Sequence, residues 1–238
     1  MSEPVMLEAS GIDAFYGQAH ILHGVGLSVG RGEVLALLGR NGAGKSTTMK
    51  SIIGLVRPAA GSVRLDGAEL AGLPPHEIAR AGIGYVPEER RVFTELTVME
   101  NLSVGLQPAR DSTPTWTPER LFELFPNLAE MRDRQGGRMS GGEQQMLTIA
   151  RTLMGNPRVI LLDEPSEGLA PVIVDQMART VQELKRDGLT VLLSEQNLHF
   201  ASAVADRATI IEKGIIRYSG TMAALAADEE ARAAYLTV

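Results

Sequence analysis

Apolar residues recur along this chain in short runs, and what separates the runs changes along the sequence. Runs at 5–9, 25–29, 34–38, 62–65, 83–86, 159–162, 190–194 and 208–212 carry the apolar pattern of β-strands. Several are uninterrupted, as in strands covered on both faces, and helical spacing falls between them, so a largely parallel sheet flanked by helices is expected. In the early stretch the runs alternate more and are joined by Gly-rich turns, which predicts an antiparallel side sheet. Ile173, Met177, Val181 and Leu184 sit at i, i+4, i+8 and i+11 behind Pro171, predicting a helix that Gly188 stops.

From 95 to 156 the strand signal disappears and helical spacing takes over, as in an inserted helical subdomain. Pro108, Pro114 and Pro118 among Ser and Thr make 107–118 a loop, with Thr117 and Pro118 as cap and first residue of the next helix. Trp116, beside these prolines, is expected to plug a packing gap. The Ala-rich, acidic stretch 223–234 predicts an exposed C-terminal helix. The expected organisation is one domain over 1–238. Its core and antiparallel β subdomain occupy 1–87 and 158–238, and its helical subdomain 88–157.

The 238 residues suit one domain carrying a subdomain, and 44% apolar with 22% charged residues argues against disorder. A net charge of −6 offers no general attraction to nucleic acid, so no nucleic-acid partner is expected. The chain has no cysteine, which removes disulfides, thiol catalysis and cysteine-based zinc sites. Its N-terminus lacks the basic and apolar regions of a secretory signal, and its apolar runs are far short of the roughly 20 residues that cross a bilayer. A membrane role is therefore expected to run through a partner.

Directly after the run 34–38 comes Gly39-Arg40-Asn41-Gly42-Ala43-Gly44-Lys45-Ser46-Thr47, which fits G-x-x-x-x-G-K-[ST] between strand and helix. Glycines let backbone N–H groups converge on phosphate oxygens, and the helix N-terminus adds partial positive charge. Lys45 is expected to reach the terminal phosphates and Ser46 to ligate magnesium. At 159–165 an apolar strand ends in Asp163-Glu164-Pro165: Asp163 can hold magnesium, and Glu164 can orient or deprotonate an attacking water. Ser140-Gly141-Gly142-Glu143 precedes an apolar helical stripe and has the form of a capping box. Two glycines in a first turn cost about 1 kcal/mol each relative to Ala, which suggests close approach of a group, an anion being the natural candidate.

These motifs in this order resemble the ATP-binding subunits of ABC transporters, over nearly the whole chain. The resemblance implies an α/β P-loop NTPase (RecA-like) fold with ATP and Mg2+ as cofactors. It also implies a head-to-tail dimer in which 139–144 contacts the ATP of the other protomer, and stacking of adenine on Tyr16. Four positions depart from the common pattern. Glu88 stands for a magnesium-contacting glutamine, Glu143 for the glutamine ending the signature, Ala170 for an aspartate, and Gln196 for a phosphate-sensing histidine. Gln donates a hydrogen bond but carries no charge. His199 is expected to lie on a helix surface.

Tyr85-Val86-Pro87-Glu88, the signature, 163–171, Glu195-Gln196-Asn197 and the ending 235–238 together resemble the LivF-type subunits of branched-chain amino acid importers. That implies a peripheral subunit on the cytoplasmic face of the inner membrane. Its implied partners are a LivG-type ATPase, or a second copy of the chain, two membrane subunits and an extracytoplasmic binding protein. The expected machinery is then Glu164, Lys45 and Gln196 for catalysis and Ser46, Glu88 and Asp163 for metal. The stretch from Glu88 through 98–102 would grip the membrane subunits, with Arg90-Arg91 adding a contact. Two alternatives stay open: a urea or other small-solute importer of the same branch, and a nucleotide-gated regulatory module with little turnover.

Overall fold

The computed structural model describes residues 4–110 and 114–235. Six strands make the main sheet: β3 (Val34–Leu38), β6 (Ile83–Val86), β7 (Val159–Asp163), β8 (Thr190–Glu195), β9 (Arg207–Glu212) and β10 (Ile215–Thr221). Their order is β10-β9-β3-β8-β7-β6, parallel except for β10. A second sheet, ordered β2-β1-β4-β5, is antiparallel and contains β1 (Val5–Tyr16), β2 (Ala19–Gly30), β4 (Ala60–Leu65) and β5 (Ala68–Glu69). Helices α1 (Lys45–Ile52) and α2 (Pro75–Ala81) belong to this half of the chain. The expected parallel sheet with an antiparallel companion is the observed arrangement.

Strand alternation builds two cores from one sheet. Val34, Ala36 and Leu38 of β3, Ile160 and Leu162 of β7, and Val191 and Leu193 of β8 join the core on one face. Leu35, Leu37, Val159, Leu161 and Leu192 join the other, which packs on the antiparallel sheet and α1. Every residue of β3, β7 and β8 is buried. At about 1.5–3 kcal/mol per buried aliphatic side chain, these runs leave no other placement competitive.

The middle of the chain supplies α3 (Val98–Gly105), α4 (Pro118–Leu124), α5 (Pro126–Ala129) and α6 (Gly141–Leu153). Thr97, Thr117 and Ser140 cap α3, α4 and α6, and Pro118 opens α4 as expected. Trp116 is 2% exposed, its backbone N–H donating to Asn156 Oδ1 at 2.7 Å and its ring covered by Arg120. Residues 111–113 of the predicted loop lie outside the described residues. Beyond β7 come α7 (Pro171–Arg186), α8 (Leu198–Val204), α9 (Met222–Ala227) and α10 (Glu229–Tyr235). Among the described residues no helix is long and apolar enough to cross a membrane.

The C-terminal reading needs correction. Two short helices replace the single exposed one, because Asp228 interrupts the run and caps the second helix, accepting from Ala231 N–H at 2.8 Å. Leu225 and Ala231 are buried in the larger core. Of the ending 235–238, only Tyr235 is described. Strands β1 and β2 also run well past the predicted 5–9 and 25–29, as bulged partners with one exposed face.

Candidate functional site

Parallel register sets the site. Leu38 of β3 pairs with Glu195 of β8, and Ser194 of β8 pairs with Asp163 of β7, so three strand tips end side by side. Gly39 leaves β3 where any Cβ would strike the Ile211 carbonyl, and Gly44 caps α1 at φ 114, a conformation costly for any other residue. The first N–H groups of α1 have no acceptor within the helix and face the loop with its positive end. Asn41 and Gly42 are exposed; Ala43, Gly44 and Thr47 are buried.

Lys45 is 3% exposed, yet its ammonium is fully partnered. It donates to Gly39 O at 2.7 Å and Arg40 O at 3.0 Å, and pairs with Glu164 Oε1 at 3.0 Å. Ser46 Oγ donates to Asp163 Oδ1 at 3.0 Å. The same carboxylate accepts from Ser194 Oγ at 2.7 Å and from Tyr85 OH at 2.9 Å. Loop and acid pair, 117 residues apart in sequence, are thus directly bonded.

Glu164 occupies φ 47, a strained conformation for a non-glycine residue, with its N–H donating to Ser194 Oγ at 3.0 Å. Its second oxygen accepts from Gln196 Nε2 at 3.0 Å. Burial pushes the Glu164 carboxyl up, but hydrogen bonds from Glu167, Gln196 and Lys45 outweigh it and hold the group below the usual glutamate range. Glu88 is exposed, and partial burial followed by repulsion from Glu164 and Asp163 raises it.

Four residues of this site had no role assigned from sequence. Tyr85 and Ser194 orient Asp163. Glu195, 2% exposed and raised by burial, accepts from the N–H groups of Ser166, Gln196 and Asn197, each at 3.1 Å. Glu167 accepts from Gln196 at 3.2 Å. Ser194 and Glu195 end an apolar strand on polar residues, but nothing local in the sequence sets that strand beside the one ending in Asp163.

Magnesium fits this donor set. It prefers oxygen, and it commonly takes one or two carboxylates while phosphates and water complete its shell. Ser46 and Asp163 already share a bond, and the acid crowding felt by Glu88 is what a cation relieves. Among the described residues no three His, Asp or Glu side chains form a cage. The protein donors alone are incomplete, which leaves room for phosphate oxygens.

The signature residues lie apart from this cluster. Ser140 N–H donates to Glu143 Oε2 at 2.7 Å and Ser140 Oγ accepts from Glu143 N–H at 3.4 Å, the reciprocal capping box expected. No hydrogen bond or ion pair among the described residues joins them to the loop. The two glycines also have an explanation inside the chain: a Cβ on Gly141 would meet the Arg90 guanidinium, and one on Gly142 would meet Ile173 at 3.0 Å. An anion is not needed to account for them. Arg90, named as an added contact for a partner, donates to Glu167 O at 3.3 Å. Arg91 pairs on the surface with Glu89. Tyr16 ends β1, 49% exposed, outside the phosphate cluster, and His199 is exposed on α8.

The family model described as ABC transporter matches residues 22–167. The chain is 46% identical over 231 residues to the high-affinity branched-chain amino acid transport ATP-binding protein BraG of Pseudomonas aeruginosa, covering 97% of this chain and 99% of that one. It is 38% identical to the lipopolysaccharide export system ATP-binding protein LptB of Haemophilus influenzae, covering 97% of each. A solved nucleotide-free ATP-binding cassette from an ABC transporter superposes with a TM-score of 0.81 at 29% identity, covering 95% of this chain and 96% of that one.

Proposed function

The chain belongs to the ABC transporter family of ATP-binding proteins, which hydrolyse ATP, and from that premise we propose that it energises uptake of branched-chain and other hydrophobic amino acids. The observation that carries the catalytic reading is the direct bonding of Lys45 to Glu164 and of Ser46 to Asp163. One strand-to-helix loop and one strand tip form a single site.

In this reading the loop N–H groups from Gly39 to Thr47 wrap the phosphates, and Lys45 exchanges its Glu164 partner for a phosphate oxygen. Ser46, Asp163 and Glu88 would hold magnesium, which when bound supplies positive charge to the phosphate oxygens. Glu164, kept ionised by its hydrogen bonds, accepts the proton of the water attacking the γ-phosphate in line. Gln196 holds the second oxygen of that base. Tyr16 stacks on adenine. Ser140, Gly141, Gly142 and Glu143 complete the site of a second ATPase chain, a LivG-type partner or another copy.

A cavity of about 610 Å³ lies between core and helical segment, lined in part by Ile53, Leu55, Phe93 and Val104. Leu55, Phe93 and Val104 are 46–53% exposed. An apolar groove of this kind supports docking of membrane subunits at the cytoplasmic face, where movement of 88–157 against 1–87 and 158–238 would be felt. The extracytoplasmic binding protein would act on those subunits.

The importer reading rests on 46% identity to BraG against 38% to LptB. It is tested with the chain reconstituted in liposomes with its neighbouring ATPase, membrane and binding proteins. ATP-dependent uptake of labelled leucine, isoleucine or valine is expected. Uptake of urea alone would move the cargo to the other member of the branch. Glu164→Gln is expected to stop phosphate release while ATP still binds; unchanged release would remove Glu164 as the base and leave the regulatory reading standing.

A further inference from the structure

Gln196 makes a contact that phosphate chemistry alone leaves without a purpose. Its Nε2 donates both to Glu164 Oε2 at 3.0 Å and to Glu167 Oε2 at 3.2 Å. A carboxamide has two N–H hydrogens, so both are spent on these two carboxyls. Glu167 is itself fixed, its N–H donating to Glu164 O at 3.1 Å and its carbonyl accepting from Arg90. No hydrogen bond or ion pair among the described residues runs from its side chain to Lys45, Ser46 or Asp163.

We propose that Glu167 is a positioning residue for ATP hydrolysis, holding the Gln196 amide with both N–H groups toward the acid pair so that Gln196 fixes the Glu164 carboxylate for proton transfer. The inference rests on Glu164 being the base. A glutamine side chain has three rotatable bonds, and its amide can present either oxygen or nitrogen to a neighbour. One acceptor restrains such a group; two acceptors on separate hydrogens fix its plane and its direction. Hydrogen bonding to Glu164, then burial, raises the Glu167 carboxyl. A glutamine at 167 keeps an oxygen that can accept from Gln196; a leucine does not.

The test uses the full chain assembled with its transporter partners. Glu167→Leu is expected to lower kcat by roughly tenfold with KM for ATP within about twofold, since no side-chain hydrogen bond among the described residues runs from Glu167 or Gln196 to the phosphate loop. Glu167→Gln is expected to restore most of the rate. In a Gln196→Ala background, Glu167→Leu is expected to change nothing further. An equal loss in both backgrounds, or no loss in Glu167→Leu, overturns the proposal. A second reading is independent of turnover: of the two Gln196 side-chain N–H resonances, the one bonded to Glu167 should move upfield toward its free-amide position in Glu167→Leu. Unmoved resonances overturn the proposal even if the unaltered assembly hydrolyses no ATP, an outcome that would instead remove the proposed function.

Discussion

Glu164 is pulled two ways, and the balance can be measured. Its surroundings are dry, which favours the neutral acid, while Lys45 and its other partners favour the carboxylate and prevail. A group whose native pKa is lowered stabilises the fold above its unfolded titration and loses that contribution as pH falls through the native value. Lys45→Met removes the countercharge and leaves burial to push Glu164 the other way, so the variant carries a penalty that acid relieves. The expected loss is about 3 kcal/mol near neutral pH, the cost of unpairing a buried charge. The gap between the melting temperatures of variant and parent should narrow as the pH falls through and below the ordinary glutamate range. A gap independent of pH would show that Lys45 acts only through its bonds to Gly39 and Arg40.

At the level of the element, α6 opens with two glycines for reasons its own sequence does not reveal. Gly141 lies under the guanidinium of Arg90, the far end of a flexible side chain, so an added Cβ would displace it rather than the backbone. Gly141→Ala in the parent is expected to shift stability by less than about 1 kcal/mol, helix propensity offsetting the displaced arginine. In an Arg90→Ala background the same change should stabilise by about 0.5–1 kcal/mol in urea unfolding. The same limit separates what the sequence discloses from what it hides. The parallel sheet, the strand-loop-helix at Gly39–Thr47 and the Ser140 cap were legible because burial, glycine spacing and capping chemistry are local. The edge strand β10 was not, since no residue from Ile215 to Thr221 is fully buried and the strand pairs only with β9. The bonds from Tyr85 and Ser194 to Asp163 depend on which strands become neighbours, and no local pattern states that. Gln196 was named from resemblance, but its bond to Glu167 is visible only in three dimensions.

Across the molecule, Tyr85 connects the groove to the phosphate site. Its ring lines the groove between core and helical segment, and its hydroxyl donates to Asp163. Burial, then the charge and hydrogen bond of Asp163, push the phenol far above its ordinary pKa, so it stays a donor throughout the working range. A partner pressed into the groove therefore bears on a side chain bonded directly to the proposed metal carboxylate. Two substitutions separate occupancy of the groove from its transmission. Val104→Glu places a charge on an exposed apolar wall remote from Lys45 and Glu164; basal hydrolysis by the chain with its ATPase partner should persist while membrane subunits no longer co-purify and uptake is lost. Tyr85→Phe keeps the ring and removes only the hydroxyl, so the subunits should still bind, with stimulation of hydrolysis by them reduced roughly tenfold, the scale of one buried hydrogen bond to a charged group. Full stimulation in Tyr85→Phe would mean that the groove communicates with the site through the backbone of Pro87 and Glu88 instead.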